Sequence, residues 1–414
     1  MPRPHATLVA LGLVTAFASA CDGGVADGVE GSSAAVAARG AYRLELLARS
    51  VEDPWSEVGT FRLPAGAAIK NASPSTNARG DVSISFRAAD GLQHVWKNGE
   101  VVHDVPDPKA VVSRTSINGA GDVAFDVMGA DVGNGVYLHA GGETTFFSSE
   151  PLGADSWINL HLLDDGRVGC RAGAGGDRRF VGFVEPDAFV RLALETTSQP
   201  SSPYAYLFTP SFDASGAVAL KVMLAGGGHE IRVLRRGAEP VVIARDRAAD
   251  ASSPFAAFDN GVALAAGQVA FVAKEGARRG VYRSDGVTTT RIAAEGDGDV
   301  AQIAWFTPAM NAAGRVVFKG EDTRGHNAIW VGDGARLDRV VTAGDVVPSD
   351  RGEATPLPET DYDPTNRVAF GGGVAIDAAG RVVFLAALAQ RSGVETKRLG
   401  TALYVAAPVA PAPR

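Results

Sequence analysis

Along most of this chain apolar and polar residues alternate with the period of a β-strand, and seven times the alternation restarts after the same kind of turn. The copies read Asn77-Ala-Arg-Gly80-Asp-Val82-Ser-Ile84, Asn118-Gly-Ala-Gly121-Asp-Val123-Ala-Phe125, Asp165-Gly166-Arg-Val168-Gly-Cys170, Asp213-Ala-Ser-Gly216-Ala-Val218-Ala-Leu220, Ala265-Ala-Gly267-Gln-Val269-Ala-Phe271, Asn311-Ala-Ala-Gly314-Arg-Val316-Val-Phe318 and Asp377-Ala-Ala-Gly380-Arg-Val382-Val-Phe384. Asn and Asp tolerate left-handed backbone and bond their own chain two residues on, and glycine takes positive φ without a Cβ clash. Each copy therefore predicts a tight turn between two antiparallel strands.

Successive turn glycines stand 41, 45, 50, 51, 47 and 66 residues apart. That spacing suits a repeated unit of four strands, with an insertion in the last interval. In the clearest unit, strand A is Ile303–Met310, strand B Arg315–Lys319, strand C Ala328–Val331 and strand D Leu337–Thr342, with an Asp333-Gly334 hairpin between C and D. The seventh unit has A, B and C (Thr401–Ala406) but no D, while Ala41–Arg49 is a D-like run with no unit of its own. An N-terminal strand that completes the last unit leaves no strand missing and none over. The prediction is an all-β, single seven-bladed β-propeller of four-stranded blades over 41–406. Unit three, around Gly166, is the weakest copy, and six blades plus an irregular segment is the alternative.

Composition adds a compartment. Fifty glycines among 414 residues suit a turn-rich β-chain, and a formal charge of −8 with no Lys/Arg block argues against a nucleic-acid partner. Residues 1–20 read as a signal peptide: Arg3, the apolar run Thr7–Phe17, and the small-residue cleavage site Ala18-Ser-Ala20 ahead of Cys21. Two readings compete. The site resembles a lipobox, with Cys21 lipidated, although Ala18 stands where Leu is usual; it also suits ordinary signal peptidase. Residues 21–40 form a Gly/Ala/Ser/Val tether with an end-to-end distance on the order of 24 Å, and 407–414 a Pro-rich tail. The expectation is a monomeric lipoprotein of a bacterial envelope, or a soluble periplasmic or secreted protein, that meets the membrane only through Cys21. With Cys21 acylated, Cys170 is the one remaining thiol; it fills the slot of Phe125, Leu220, Phe271 and Phe318 and reads as core.

Phrases such as Phe306-Thr-Pro-Ala-Met-Asn-Ala-Ala-Gly-Arg-Val-Val-Phe318 and Gly280-Val-Tyr-Arg-Ser-Asp-Gly286 resemble the repeats of exported bacterial β-propeller proteins of uncharacterised function, of choice-of-anchor or domain-of-unknown-function type. The resemblance covers 41–406 and implies the architecture. It carries over no catalytic residue, because the shared phrase consists of turns and core.

In such a ring the short A–B and C–D turns share one face, and the B–C and D–A connections, expected to be long and variable, share the other, where a ligand is to be sought. Aromatic residues near the starts of strand A, Trp157, Tyr206 and Trp305 foremost, are candidates to line the channel mouth and stack on a sugar or peptide group. The longest D–A connection, Ala343–Asn366, adds Asp361, Tyr362 and Asp363. Asp297 and Asp299 alternate with glycine as calcium ligands do, although no complete calcium-loop motif exists and a solvated turn is the competing reading; apart from calcium no cofactor is expected. His94, His229 and His326 precede strand C of their units, and Gly173–Gly176 reads as a B–C loop. The chain has no Gly-x-Ser-x-Gly elbow, Walker loop, His-Glu-x-x-His or Cys-x-x-Cys. The reading is a binding or scaffold module for a glycan or protein at the cell surface or in the periplasm. Its alternative is a polysaccharide hydrolase or lyase with loop carboxylates at the channel mouth.

Overall fold

In the computed structural model, residues 36–39, 41–51, 58–69, 73–131, 133–186, 188–357, 369–392 and 395–409 are described. They form seven antiparallel sheets in a ring, each with its first strand innermost. Blade 1 runs Ser75–Thr76, Val82–Arg87, Gln93–Lys97, Glu100–Val105, and blade 2 Thr115–Ile117, Val123–Val127, Gly135–Ala140, Glu143–Ser148. Blade 3, the weakest repeat in sequence, is complete: Ser156–Leu162, Val168–Ala174, Arg178–Glu185, Ala188–Leu194. Blades 4, 5 and 6 end on the outer strands Val241–Arg245, Thr289–Ala294 and Leu337–Thr342. In blade 7 Val382–Ser392 pairs with Glu395–Pro408, and Glu395–Pro408 pairs with the N-terminal strand Tyr42–Arg49, from Tyr42 opposite Pro408 to Arg49 opposite Ala402. The first strand thus closes the ring. A further strand, Val36–Arg39, pairs along its outer edge.

The alternation of the B strands builds the core. The fourth residue after the turn glycine faces a strand-C partner, and in four blades the two stack as rings: Phe125 on Tyr137, Phe271 on Tyr282, Phe318 on Trp330 and Phe384 on Tyr404, with centroids 5.1 to 5.8 Å apart. Blade 3 departs from this because Cys170 pairs with Gly182, where a Cβ would stand 1.9 Å from the Val190 carbonyl oxygen. Phe180 and Phe189 fill the space instead, edge to face at 5.0 Å. Cys170 is fully buried, and burial pushes its thiol far above the ordinary range, so it is a small hydrophobe.

The repeated turn does more than reverse the chain. Asn77 accepts from the backbone N–H of Arg79 and Asp81, and its Nδ2 donates to the Asn118 carbonyl of the next blade at 2.7 Å. Asn118 donates in turn to Leu163 O at 3.4 Å, and Asn311 to Asp377 O at 2.9 Å. The turns therefore bolt neighbouring blades together near the axis.

Two expectations are corrected. The B–C connections are mostly tight turns, as at 175–177 and 276–277, so length variation belongs to the D–A connections. Strand A is also interrupted in blades 4 and 6: the run read as Ile303–Met310 is Val300–Ile303 and Ala309–Met310, with 304–308 bulging between them.

Candidate functional site

The interruption of the innermost strand is where unusual side chains collect. At the fifth position after the turn glycine, blades 4 and 6 carry a lysine on strand B, and each lysine reaches into the next blade. Lys221 Nζ donates to Phe258 O and Asn260 Oδ1 at 3.0 and 3.1 Å. Lys319 Nζ donates to Phe370 O at 3.0 Å and Gly372 O at 2.5 Å. Phe258 stands at a register shift of blade 5's inner strand, and Phe370 and Gly372 lie outside any strand, so these backbone carbonyls lack ladder partners and a buried ammonium satisfies them. Burial pulls both ammonium groups below the ordinary lysine range, Lys319 to about 7.

Each lysine also lies under a phenylalanine of its own blade's strand A. Lys221 Nζ is 4.1 Å from the Phe208 ring centroid, and Lys319 Nζ 3.4 Å from that of Phe306. The two segments share a phrase, Phe208-Thr-Pro210 and Phe306-Thr-Pro308.

A second cation backs a second ring beside each phenylalanine. Arg279, on strand C of blade 5, lies 3.5 Å from the Trp305 centroid and donates to Ile303 O at 2.8 Å. Arg179, on strand C of blade 3, lies 4.9 Å from the Tyr206 centroid. A glutamate fixes each arrangement: Glu295 accepts from the N–H of Arg279 and Ile303, and Glu195 from Arg179 Nη1 and the N–H of Leu207. Two equivalent modules, on blades 3/4 and 5/6, thus present aromatic rings along the channel rim on the D–A side.

They differ in exposure. Trp305 is 73% and Phe306 40% exposed, whereas Tyr206 is half-buried and meets Phe208 edge to face. With the guanidinium on one face of Trp305, its exposed surface is left for a ligand. The same segment carries an exposed amide and an exposed hydroxyl, Gln302 and Thr307. Below, Asp259 is buried with Oδ1 3.7 Å from Arg279 Nη2 and Oδ2 without a hydrogen-bond partner, and burial raises its pKa against the pull of Arg279 and Lys221.

The other expected residues fall elsewhere. Trp157 is 1% exposed and packs on Phe189 between blades 2 and 3, because it lies in a regular register opposite Ala172. Its ring is core, a correction to the channel-mouth expectation. Asp297 Oδ2 accepts the Ala294 N–H at 2.8 Å, and Asp299 accepts from Trp330 Nε1 at 3.2 Å and Arg339 Nη1 at 2.8 Å. Among the described residues no three His, Cys, Asp or Glu side chains converge as metal ligands. His94 and His229 each pair with an aspartate of their own blade, Asp104 at 2.6 Å and Asp246 at 2.8 Å. Cys21, Asp361, Tyr362 and Asp363 lie outside the described residues.

Phe208, Phe306, Arg279 and Lys319 were missed in sequence. The signal was the twice-repeated Phe-Thr-Pro with a lysine thirteen residues on, visible once the repeats are aligned.

Residues 235–408 match a family of unknown function, DUF7453. No curated protein matches the chain by sequence. Among solved structures, a puromycin-hydrolysing peptidase of Mycobacterium tuberculosis is 13% identical over 79% of this chain, which spans about half (52%) of that one, with a TM-score of 0.49. The six-bladed fucose-recognising lectin of Aleuria aurantia is 10% identical over 66% of this chain and 94% of its own, at a TM-score of 0.37. The extracellular domain of a hybrid two-component system from B. thetaiotaomicron is 13% identical over 80% of this chain and 38% of its own, at 0.41. These are likenesses of fold.

Proposed function

We propose that this protein is an exported binding module that takes a glycan on the aromatic rim of its channel, held to the envelope by a lipid on Cys21. The observation that carries the reading is Trp305: a large ring, 73% exposed, anchored on one face by Arg279, on a segment that also exposes Gln302 and Thr307. A flat apolar face beside hydrogen-bonding groups suits a sugar ring, which has an apolar C–H face and a hydroxyl edge. Binding is favoured over turnover because glycoside hydrolysis calls for two carboxyl groups facing the ligand. At this rim both oxygens of Glu295 are engaged by backbone N–H groups, and Asp259 is buried beneath it against Arg279.

The test is a paired glycan and peptide array probed with the soluble protein, with calcium and with chelator. The expected result is glycan binding that chelation leaves unchanged, since Asp297 and Asp299 already have protein partners. Binding to peptides alone, or release of cleaved glycan, would replace the reading with a protein-binding or enzymatic one. For the anchor, Cys21→Ser is expected to move the protein from the membrane to the soluble fraction.

A further inference from the structure

The outer rim of the ring carries a second feature, the groove between the outermost strand of one blade and the next blade. Between blades 6 and 7 the chain fills this groove itself. The D–A connection there forms a hairpin of Val347–Ser349 and Gly352–Pro356, and Val347 and Ala354 are buried against Leu44, Leu46 and Val341. Two polar contacts seat it: the Tyr404 hydroxyl donates to Pro348 O at 2.7 Å, and Asp350 receives a two-pronged bond from buried Arg49, at 2.7 and 2.8 Å.

Between blades 4 and 5 the D–A connection is short, and the same groove stands open with a volume of about 590 Å³. Its wall is equivalent, because Tyr282 stacks across strand B on Phe271 as Tyr404 does on Phe384. Its floor is closed where Gly286, at φ 92°, brings the C–D turn of blade 5 against the Val242 carbonyl. Arg291 lines it with a side chain 58% exposed, and its nearest ion-pair partner, Asp297, is 4.0 Å away. Val241 and Val287 are exposed beside it, Val287 by 94%. The outer strand Val241–Arg245 carries no added strand among the described residues; elsewhere in the ring, on blade 7, the edge of such a strand is taken by Val36–Arg39. One groove and one strand edge of this ring are thus occupied by polypeptide, at two different places.

We propose that the groove between blades 4 and 5 binds an extended polypeptide segment of another chain, with small apolar residues seated between the blades and an acidic side chain paired to Arg291. An exposed strand edge offers main-chain hydrogen bonds to such a segment, and the side pockets set its sequence. The site is separate from the channel rim and does not rest on the glycan reading.

The test is selection from a display library of random peptides about a dozen residues long, against the whole protein. Enriched peptides should carry Asp or Glu among small apolar residues. Their affinity should fall at least tenfold in Arg291→Ala and in Thr289→Trp, which fills the groove from an exposed position, and should not change in Trp305→Ala. Unchanged melting temperatures would show that each variant folds. Failure to enrich any peptide, peptides that bind both groove variants as well as the wild type, or peptides that depend on Trp305 would each overturn the proposal.

Discussion

Lys319 and Asp126 occupy the same position of the repeat, five residues after the turn glycine, where other blades hold Ser85, Arg171, Lys221, Val272 and Leu385. Every one of these is buried, so each blade decides locally whether its neighbour is held by an apolar contact or a polar one. The polar choices have opposite pH signatures. Burial pulls the Lys319 ammonium down to about 7, although the carbonyls of Phe370 and Gly372 and the Phe306 ring favour its charge. Between pH 7 and 10 the unfolded chain binds the proton more tightly than the folded one, so stability rises with pH, by up to about 1.4 kcal/mol per unit. Burial raises Asp126 to about 7 despite the Ser113 hydroxyl shared between its two oxygens, so between pH 4 and 7 the folded state holds the extra proton and stability falls as pH rises. Burial lowers His161 to about 3, which opposes Asp126 below pH 6.5, so urea titrations across pH read each limb as the difference between wild type and variant. Lys319→Met should flatten the alkaline limb and Asp126→Asn the acidic one.

At the scale of the element, the turn-and-strand phrase works as both hairpin and bolt. Asn311→Ala leaves the Asp377 carbonyl without its donor and removes the cap on the Arg315 N–H; it should cost about 1–2 kcal/mol by chemical denaturation. Asn311→Asp keeps the acceptor but loses the donor, and should recover only part of that. What sequence could show here follows from what is local. Turns, strand period and ring closure rest on contacts within a hairpin or on strand counting, and they were legible. The break in strand A was not, because Trp305-Phe306-Thr307-Pro308 has the composition of a strand and is drawn out by lysine and arginine from strands B and C. Trp157 and Trp305 look alike in sequence for the same reason: one sits in a paired register and is core, the other sits on a bulge and is surface.

The whole molecule depends on a joint made from its two ends. Arg49, fully buried on the closing strand, holds Asp350 of the last insertion, Leu399 O at 2.6 Å and Gly59 O at 3.0 Å. Removing one partner strands a buried charge, so Arg49→Ala or Asp350→Ala should cost about 3–5 kcal/mol. The double variant Arg49→Met, Asp350→Leu should recover much of it. If both single variants melt like the wild type, the latch plays no part in closing the ring. In the function we propose, this closed ring presents the aromatic rim of blades 3 to 6 to a glycan. The most direct test is the affinity of Trp305→Ala for the best glycan of the array, measured by titration calorimetry beside the wild type. A loss of at least tenfold is expected, with an unchanged melting temperature and a smaller loss in Tyr206→Ala; wild-type affinity in Trp305→Ala would contradict glycan binding at the rim.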